Sequence, residues 1–231
     1  ELNQKIKITH LSEKDWERFS ELFTYNTNAI EGSDINSVEV REILKQDKWP
    51  KKSKEDIAET YGVNEAIKFI RETKEHISLD LIKELHKIVF HNSKDFAGKF
   101  REKGQEVVVR DGLGNIVHMG APQSRVISLL NELIKWYNTH KNKYPALILA
   151  SVIHNQFKTI HPFADGNGRV GRLLLNNILI KNGFPPVDID FKNRKEYYNS
   201  LKEYQKNHNL KPTLDLLIKE YKLLRKKLSR K

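Results

Sequence analysis

The 231-residue chain contains no cysteine. This excludes disulfides, iron–sulfur clusters, thiolate zinc sites and cysteine nucleophiles together, and suits a reducing compartment. Methionine is nearly absent as well. Met119 is the single one, so the chain reads as lacking its initiator and as trimmed or processed. No apolar run approaches the ~18 residues of a membrane span, and the polar opening ELNQKIK does not read as a signal peptide. A cytoplasmic protein with no membrane partner is expected. Repeats and low-complexity linkers are missing too. Acidic residues are the scarcer charge, 30 Asp plus Glu against 41 Lys plus Arg, for a formal net charge of +11. That excess raises nucleic-acid binding as a first candidate. With 38% hydrophobic and 9% aromatic residues, the composition is that of a folded, charge-decorated chain, and its length suits one large domain.

What is present is helical periodicity. Leu81, Leu85, Ile88 and Val89 recur at helix spacing, as do Val63, Ala66, Ile67 and Ile70. Val126, Leu130, Leu133 and Tyr137 make a third stripe. Pro145 opens a further helix at a position where proline is favoured. Residues 146–153 are apolar on nearly every face, which predicts a helix at the centre of the domain. Residues 172–180 read the same way and are stopped by Gly183, Pro185 and Pro186. One segment departs from this pattern. Residues 106–109 and 116–118 flank a glycine-rich turn and predict a lone β-hairpin. The expected fold is all-α with that one hairpin: N-terminal helices at 1–50, a core at 51–208 and a basic C-terminal helix at 209–231.

The chemistry concentrates in His161-Pro162-Phe163-Ala164-Asp165-Gly166-Asn167-Gly168-Arg169-Val170-Gly171-Arg172. An apolar helix ends at the histidine, because the residue before a proline is pushed out of the α region. Gly166 and Gly168 allow a tight turn whose N–H groups converge as a buried helix begins. Backbone amides at a helix N-terminus form an anion site suited to phosphates. Arg169 and Arg172, three apart, share one helix face near that end. Arginine there opposes the helix dipole, which makes most sense when an anion lies between. Asp165 offers a hard oxygen beside the phosphate cradle, where Mg²⁺ bridging phosphate oxygens would need one. His161 is the group with a near-neutral pKa and so the natural general base for a hydroxyl.

This loop resembles the signature of the Fic family, HPF-x-D/E-GNGR-x-x-R, at every position. The resemblance implies a Fic-type helical bundle and transfer of AMP from ATP to a Ser, Thr or Tyr hydroxyl of a target protein. Carried over residue by residue, His161 would deprotonate the hydroxyl and Asp165 would hold Mg²⁺. Gly166, Asn167 and Gly168 would form the anion cradle, Arg169 would contact the phosphate tail, and Arg172 would hold the γ-phosphate. Gly98-Lys99-Phe100-Arg101 resembles the segment before the family's flap. The hairpin, with Val107, Val108, Val109, Ile116 and Val117, then takes the place of the flap that docks an extended target segment. Tyr197 and Tyr198 resemble residues beside the nucleotide-base pocket, with two core tyrosines as the alternative. Thr27-Asn28-Ala29-Ile30-Glu31-Gly32 fits the family's inhibitory pattern S/T-x-x-x-E-G/N. Thr27 and Glu31 lie one helical turn apart, and Gly32 can end the helix. Glu31 would then pair with Arg172 and block the γ-phosphate.

The expected partners are therefore ATP, with Mg²⁺, and a protein target, with homodimerisation left open. Self-modification and removal of AMP from the target are left open in the same way. Transfer of UMP or GMP by the same loop is the alternative within the fold. A basic helical nucleic-acid-binding regulator is the alternative from another class. No helix-turn-helix with a convincing recognition helix follows the core, which argues against it, and the charge is unevenly placed. Residues 191–231 hold 13 Lys plus Arg and 4 Asp plus Glu, so the excess lies mostly beyond the loop.

Overall fold

The computed structural model describes residues 11–110 and 116–228. Nine α-helices run through the described residues. They are α1 (Glu13–Ile30), α2 (Ser37–Gln46), α3 (Lys54–Glu72), α4 (Leu79–Phe90), α5 (Val126–His140), α6 (Ala146–Ile160), α7 (Asn167–Lys181), α8 (Arg194–Asn207) and α9 (Lys211–Leu228). The starts of the first four are set by side chains that accept from orphan amides: Ser12, Asn36, Ser53 and Ser78. Ser12 with Asp15, and Asn36 with Glu39, complete reciprocal capping boxes.

The periodic stripes all face one core. Val63, Ile67, Leu81, Leu85, Leu130, Tyr137, Leu149, Ile153, Leu174 and Ile178 belong to a single buried cluster. Its axis is α7, buried from Asn167 to Ile180, so the central helix is longer than its apolar run. It starts at Asn167, which places Arg169 and Arg172 in its first two turns. Pro145 stands just outside α6 as its N-cap rather than as its first residue. Leu216, Leu217, Tyr221 and Leu224 of α9 join the same cluster, so the leucines of this basic segment pack inward. A smaller cluster of Ile35, Val40, Ile43 and Ile57 seats α2 on α3.

Among the described residues the only sheet is an antiparallel pair, β1 (Val108–Arg110) and β2 (Ile116–Met119). Val108 faces Met119 and Val109 faces His118, and the register slips between Val109 and Arg110. The strands are shifted from their expected bounds, and Val107 is a foot of the ribbon rather than part of it. Its carbonyl accepts from Gly120 N–H at 2.9 Å. Residues 111–115 and the side chains of Val109, Ile116 and Val117 lie outside the described residues. No helix among the described residues is long and apolar enough to cross a membrane.

Candidate active site

The site begins where α6 stops. His161 is the C-cap of α6 and adopts a left-handed backbone, φ 55°. Pro162 forbids another helical turn, and the histidine ring turns inward, buried at the head of α7. Asn167 then closes the connecting loop on itself. Its Oδ1 accepts from Phe163 N–H at 2.9 Å and its Nδ2 donates to Phe163 C=O at 2.8 Å. Beneath the loop, His86 of α4 stacks on Phe163 with ring centroids 3.9 Å apart. Its Nδ1 accepts from Gly98 N–H at 2.8 Å and its Nε2 lies 3.2 Å from Asp165 C=O. Burial drives His86 down to about 4, so the ring is neutral and Nε2 is the nitrogen left to donate to Asp165.

Arg101 supplies a second brace. Its side chain is fully buried. The guanidinium donates to the carbonyls of His161 at 2.8 Å, Gln105 at 2.9 Å and Ile160 at 3.4 Å. It also donates to Ala121 C=O. Gln105 and Ala121 flank the two strands, and Ala121 N–H donates to Ile160 C=O at 3.1 Å. One side chain thus ties both ends of the hairpin to the turn that carries His161. The resemblance marked Arg101 only as part of a segment; its acceptors become visible once the chain is folded.

The two glycines of the cradle serve different ends. Gly166 is left-handed, φ 78°, and a Cβ there would strike the Phe90 ring at 2.3 Å. Gly168 is ordinary helix rather than the turn residue expected. A Cβ on it would fall 1.8 Å from Glu31 Oε1. A carboxylate from α1 therefore lies over the first turn of α7, where amide N–H groups and the helix dipole favour an anion.

Arg172 receives that carboxylate. Its Nη2 lies 2.7 Å from Glu31 Oε1. The same nitrogen donates to Thr27 C=O at 3.0 Å, and Nε donates to Thr27 Oγ1 at 2.7 Å. Gly32, φ 100°, lets the chain leave α1 just beyond Glu31. Burial by itself would raise the Glu31 carboxyl, but Arg172, then Lys158 and Arg169, outweigh it and hold it down at about 2. Arg172 is in turn shifted upward, burial being overcome chiefly by Glu31.

Arg169 is engaged elsewhere. It pairs with Glu59 of α3, lies 4.6 Å over the Phe90 ring, and has Asp165 Oδ2 at 3.8 Å. Glu59 carried no signal in the sequence. The Asp165 side chain is 54% exposed, with Oδ1 accepting from Gly166 N–H at 2.6 Å.

Tyr197 and Tyr198 part company. Tyr197, expected beside a base, lies on the inward face of α8. Its hydroxyl meets Arg172 Nη1 at 3.3 Å and His154 Nε2 at 3.1 Å. It is fully buried and offers no open ring face, which is the core alternative. Tyr198 is 38% exposed and donates to Ile30 C=O at 2.9 Å, binding the end of α1 to α8.

Residues 76–179 match the Fic/DOC family. The chain is 36% identical to protein adenylyltransferase fic-1 of Caenorhabditis briggsae over 188 residues, 78% of this chain and 36% of that protein. It is 34% identical to protein adenylyltransferase Fic of Nematostella vectensis over 194 residues, 80% of this chain and 42% of that protein. The chain thus spans well under half the length of these curated relatives. Its fold superposes on a solved structure of Fic-1 from C. elegans with a TM-score of 0.80 at 30% identity, covering 95% of this chain and 66% of that chain. A Fic-domain-containing signaling protein from Bacteroides thetaiotaomicron gives a TM-score of 0.81 at 23% identity, covering 95% of this chain and 89% of that one.

Proposed function

The chain belongs to the Fic/DOC family, and from that premise we propose that it transfers AMP from ATP to a Ser, Thr or Tyr hydroxyl of a target protein, with Glu31 holding it inhibited. The observation that carries this reading is the Glu31 carboxylate on the α7 N-terminus, paired with Arg172. An anion already occupies the ground that a phosphate tail needs, and it is anchored to the same guanidinium.

The chemistry follows from the groups around that ground. The target hydroxyl oxygen attacks the α-phosphorus, its proton passes to the His161 imidazole, and the bond to the β-phosphate oxygen breaks to release pyrophosphate. Little covalent work falls to the protein, so positioning and charge dominate. The α7 amides and Arg172 would bind the tail once Glu31 withdraws. Arg169, braced by Glu59, would act from the side. Asp165 is a half-exposed hard-oxygen donor, and Mg²⁺ is commonly held by one or two carboxylates plus substrate phosphates. The donor therefore fits, and Asp165 would hold Mg²⁺, which neutralises charge on the phosphate oxygens when bound. An outer edge of the β1–β2 ribbon would take an extended target segment by strand addition; Val108 and Val109 lie on one strand, Ile116 and Val117 on the other, and Val107 at the foot. Arg101 would keep that edge in register with His161. Tyr198 remains the candidate for contact with the base.

Labelled ATP, GTP, CTP and UTP, each with Mg²⁺, test this on the wild type, Glu31→Gly and Glu31→Gly/His161→Ala. The expected result is protein-bound label from ATP on Glu31→Gly that disappears with His161→Ala. Label from UTP in preference to ATP would replace the transferred group. Persistence without His161 would remove the base, and no label from any of the four would overturn nucleotidyl transfer.

A further inference from the structure

Taking the site as a nucleotide site, as proposed above, we propose that Lys158 is a third cationic ligand for the phosphate tail, one that the signature loop does not contain. Lys158 stands on α6 one turn before His161, and its carbonyl faces His161 Nδ1 at 3.3 Å. Only 9% of the residue is exposed. Among the described residues, however, no carboxylate or other acceptor lies within ion-pair or hydrogen-bond distance of its ammonium.

The other buried cations around the site each have a partner, although Arg169 Nε makes no hydrogen bond among the described residues. Arg101 has four carbonyls, Arg169 has Glu59, and Arg172 has Thr27, Glu31 and Tyr197. Lys158 Nζ is not one of the fully buried polar atoms left without a partner, so the ammonium keeps some contact with solvent: a ligand can reach it, and no anion among the described residues neutralises it.

The surroundings name the ligand. Burial pushes Lys158 down; Glu31 and Asp165 pull it back up, and Arg172 pushes the same way as burial. Lys158 in turn is second only to Arg172 in holding the Glu31 carboxyl down. The ammonium therefore lies in the field of the anion on α7 without touching it. One carboxylate reaches Arg172 and stops short of Lys158. An anion with several oxygens strung in a row, such as the triphosphate of a nucleotide, could meet both more readily than a single phosphate. A point-charge ammonium on a flexible stem suits such a contact. Lys158 therefore favours nucleoside triphosphates over monophosphates.

The test uses titration calorimetry in the Glu31→Gly chain, with ATP, AMP and tripolyphosphate as probes. Lys158→Met keeps the volume and loses the charge. It is expected to weaken ATP and tripolyphosphate at least about tenfold and AMP less than about threefold. Lys158→Arg should keep ATP affinity within about threefold. If Lys158→Met misfolds on thermal melting, Lys158→Gln reports in its place. ATP affinity of the neutral variants within about twofold of a parent that binds ATP would overturn the proposal. An equal loss for AMP would overturn it too, as a mere effect on packing. A Glu31→Gly parent that binds neither ATP nor tripolyphosphate would overturn the nucleotide reading, and this proposal with it.

Discussion

Replacing Glu31 by glutamine removes one charge from the site and leaves its shape almost unchanged. The structure supplies the size of the effect. Against the opposing pull of burial, Arg172, Lys158 and Arg169 lower the Glu31 carboxyl from 4.5 to about 2. At about 1.4 kcal/mol per pKa unit, the ionised carboxylate is favoured by about 3 kcal/mol over its neutral form in this setting. If that energy holds the inhibited arrangement, losing it shifts the balance toward a phosphate-accepting site by roughly a hundredfold. Glu31→Gln should therefore label itself or a supplied target from ATP about as fast as Glu31→Gly, and roughly a hundredfold faster than the wild type. The assay is initial-rate incorporation from α-labelled ATP at fixed Mg²⁺, with ATP affinity measured in parallel. Activation by glycine but not by glutamine would show that the brake is bulk rather than charge. No activation by either, with ATP bound normally, would refute the brake. Acid offers no substitute for the mutation. The depressed pKa keeps Glu31 ionised above about 2, so the ratio of mutant to wild-type rate should stay flat from about pH 6 to pH 9.

Further expectations rest on separate contacts. Gly168→Ala in the Glu31→Gly chain puts a Cβ where the carboxylate lay, 1.8 Å from its Oε1. ATP binding by calorimetry should fall at least about tenfold, and unchanged affinity would place the phosphates elsewhere. Arg101→Lys keeps a charge but cannot span the carbonyls of His161, Gln105 and Ala121. Turnover of the Glu31→Gly chain should drop at least about tenfold with ATP affinity intact; a loss confined to ATP affinity would refute the brace. Asp188 is buried, with Asn26 of α1 donating to its Oδ2 at 2.7 Å, and burial raises it to about 7. Its folded pKa lies above its unfolded one, so the stability it lends is complete below about 4 and is lost as pH rises through about 7. Asp188→Asn should flatten that fall, gaining about 3 kcal/mol on the wild type between pH 5 and pH 8 in denaturant titrations. Parallel pH profiles would refute the assignment.

Residues that contact their sequence neighbours were the ones readable in advance. The loop from His161 to Arg172 is local, and its proline, glycines and arginines announce a helix end, a turn and an anion site within twelve positions. Glu31 was readable because Thr27 and Gly32 frame it on one helical turn. Glu59 was not, since its link to Arg169 spans 110 residues and depends on how α3 packs on α7. Gly168 misled for a related reason. A glycine next to a turn reads as part of the turn, whereas this one leaves room for a side chain from another helix. Tyr197 and Tyr198 are adjacent and alike in sequence, so only the way α8 packs on α6 and α9 separates the buried ring from the exposed one. Lys158 lay within a run of otherwise ordinary helix, and a lysine there reads as a solvated face until burial is seen.

Thr27 and Glu31 hold Arg172 from the last turn of α1, and Tyr198 ties that turn to α8. On the proposed role of Arg172, competition for its guanidinium is reciprocal: whatever α1 takes from a ligand's affinity, the ligand takes from the docking of α1. The end of this helix is thereby an internal reporter. Its amides should exchange with solvent deuterium faster when the site is filled, with no transfer reaction required. Small molecules could then be screened on the chain alone, with no acceptor present.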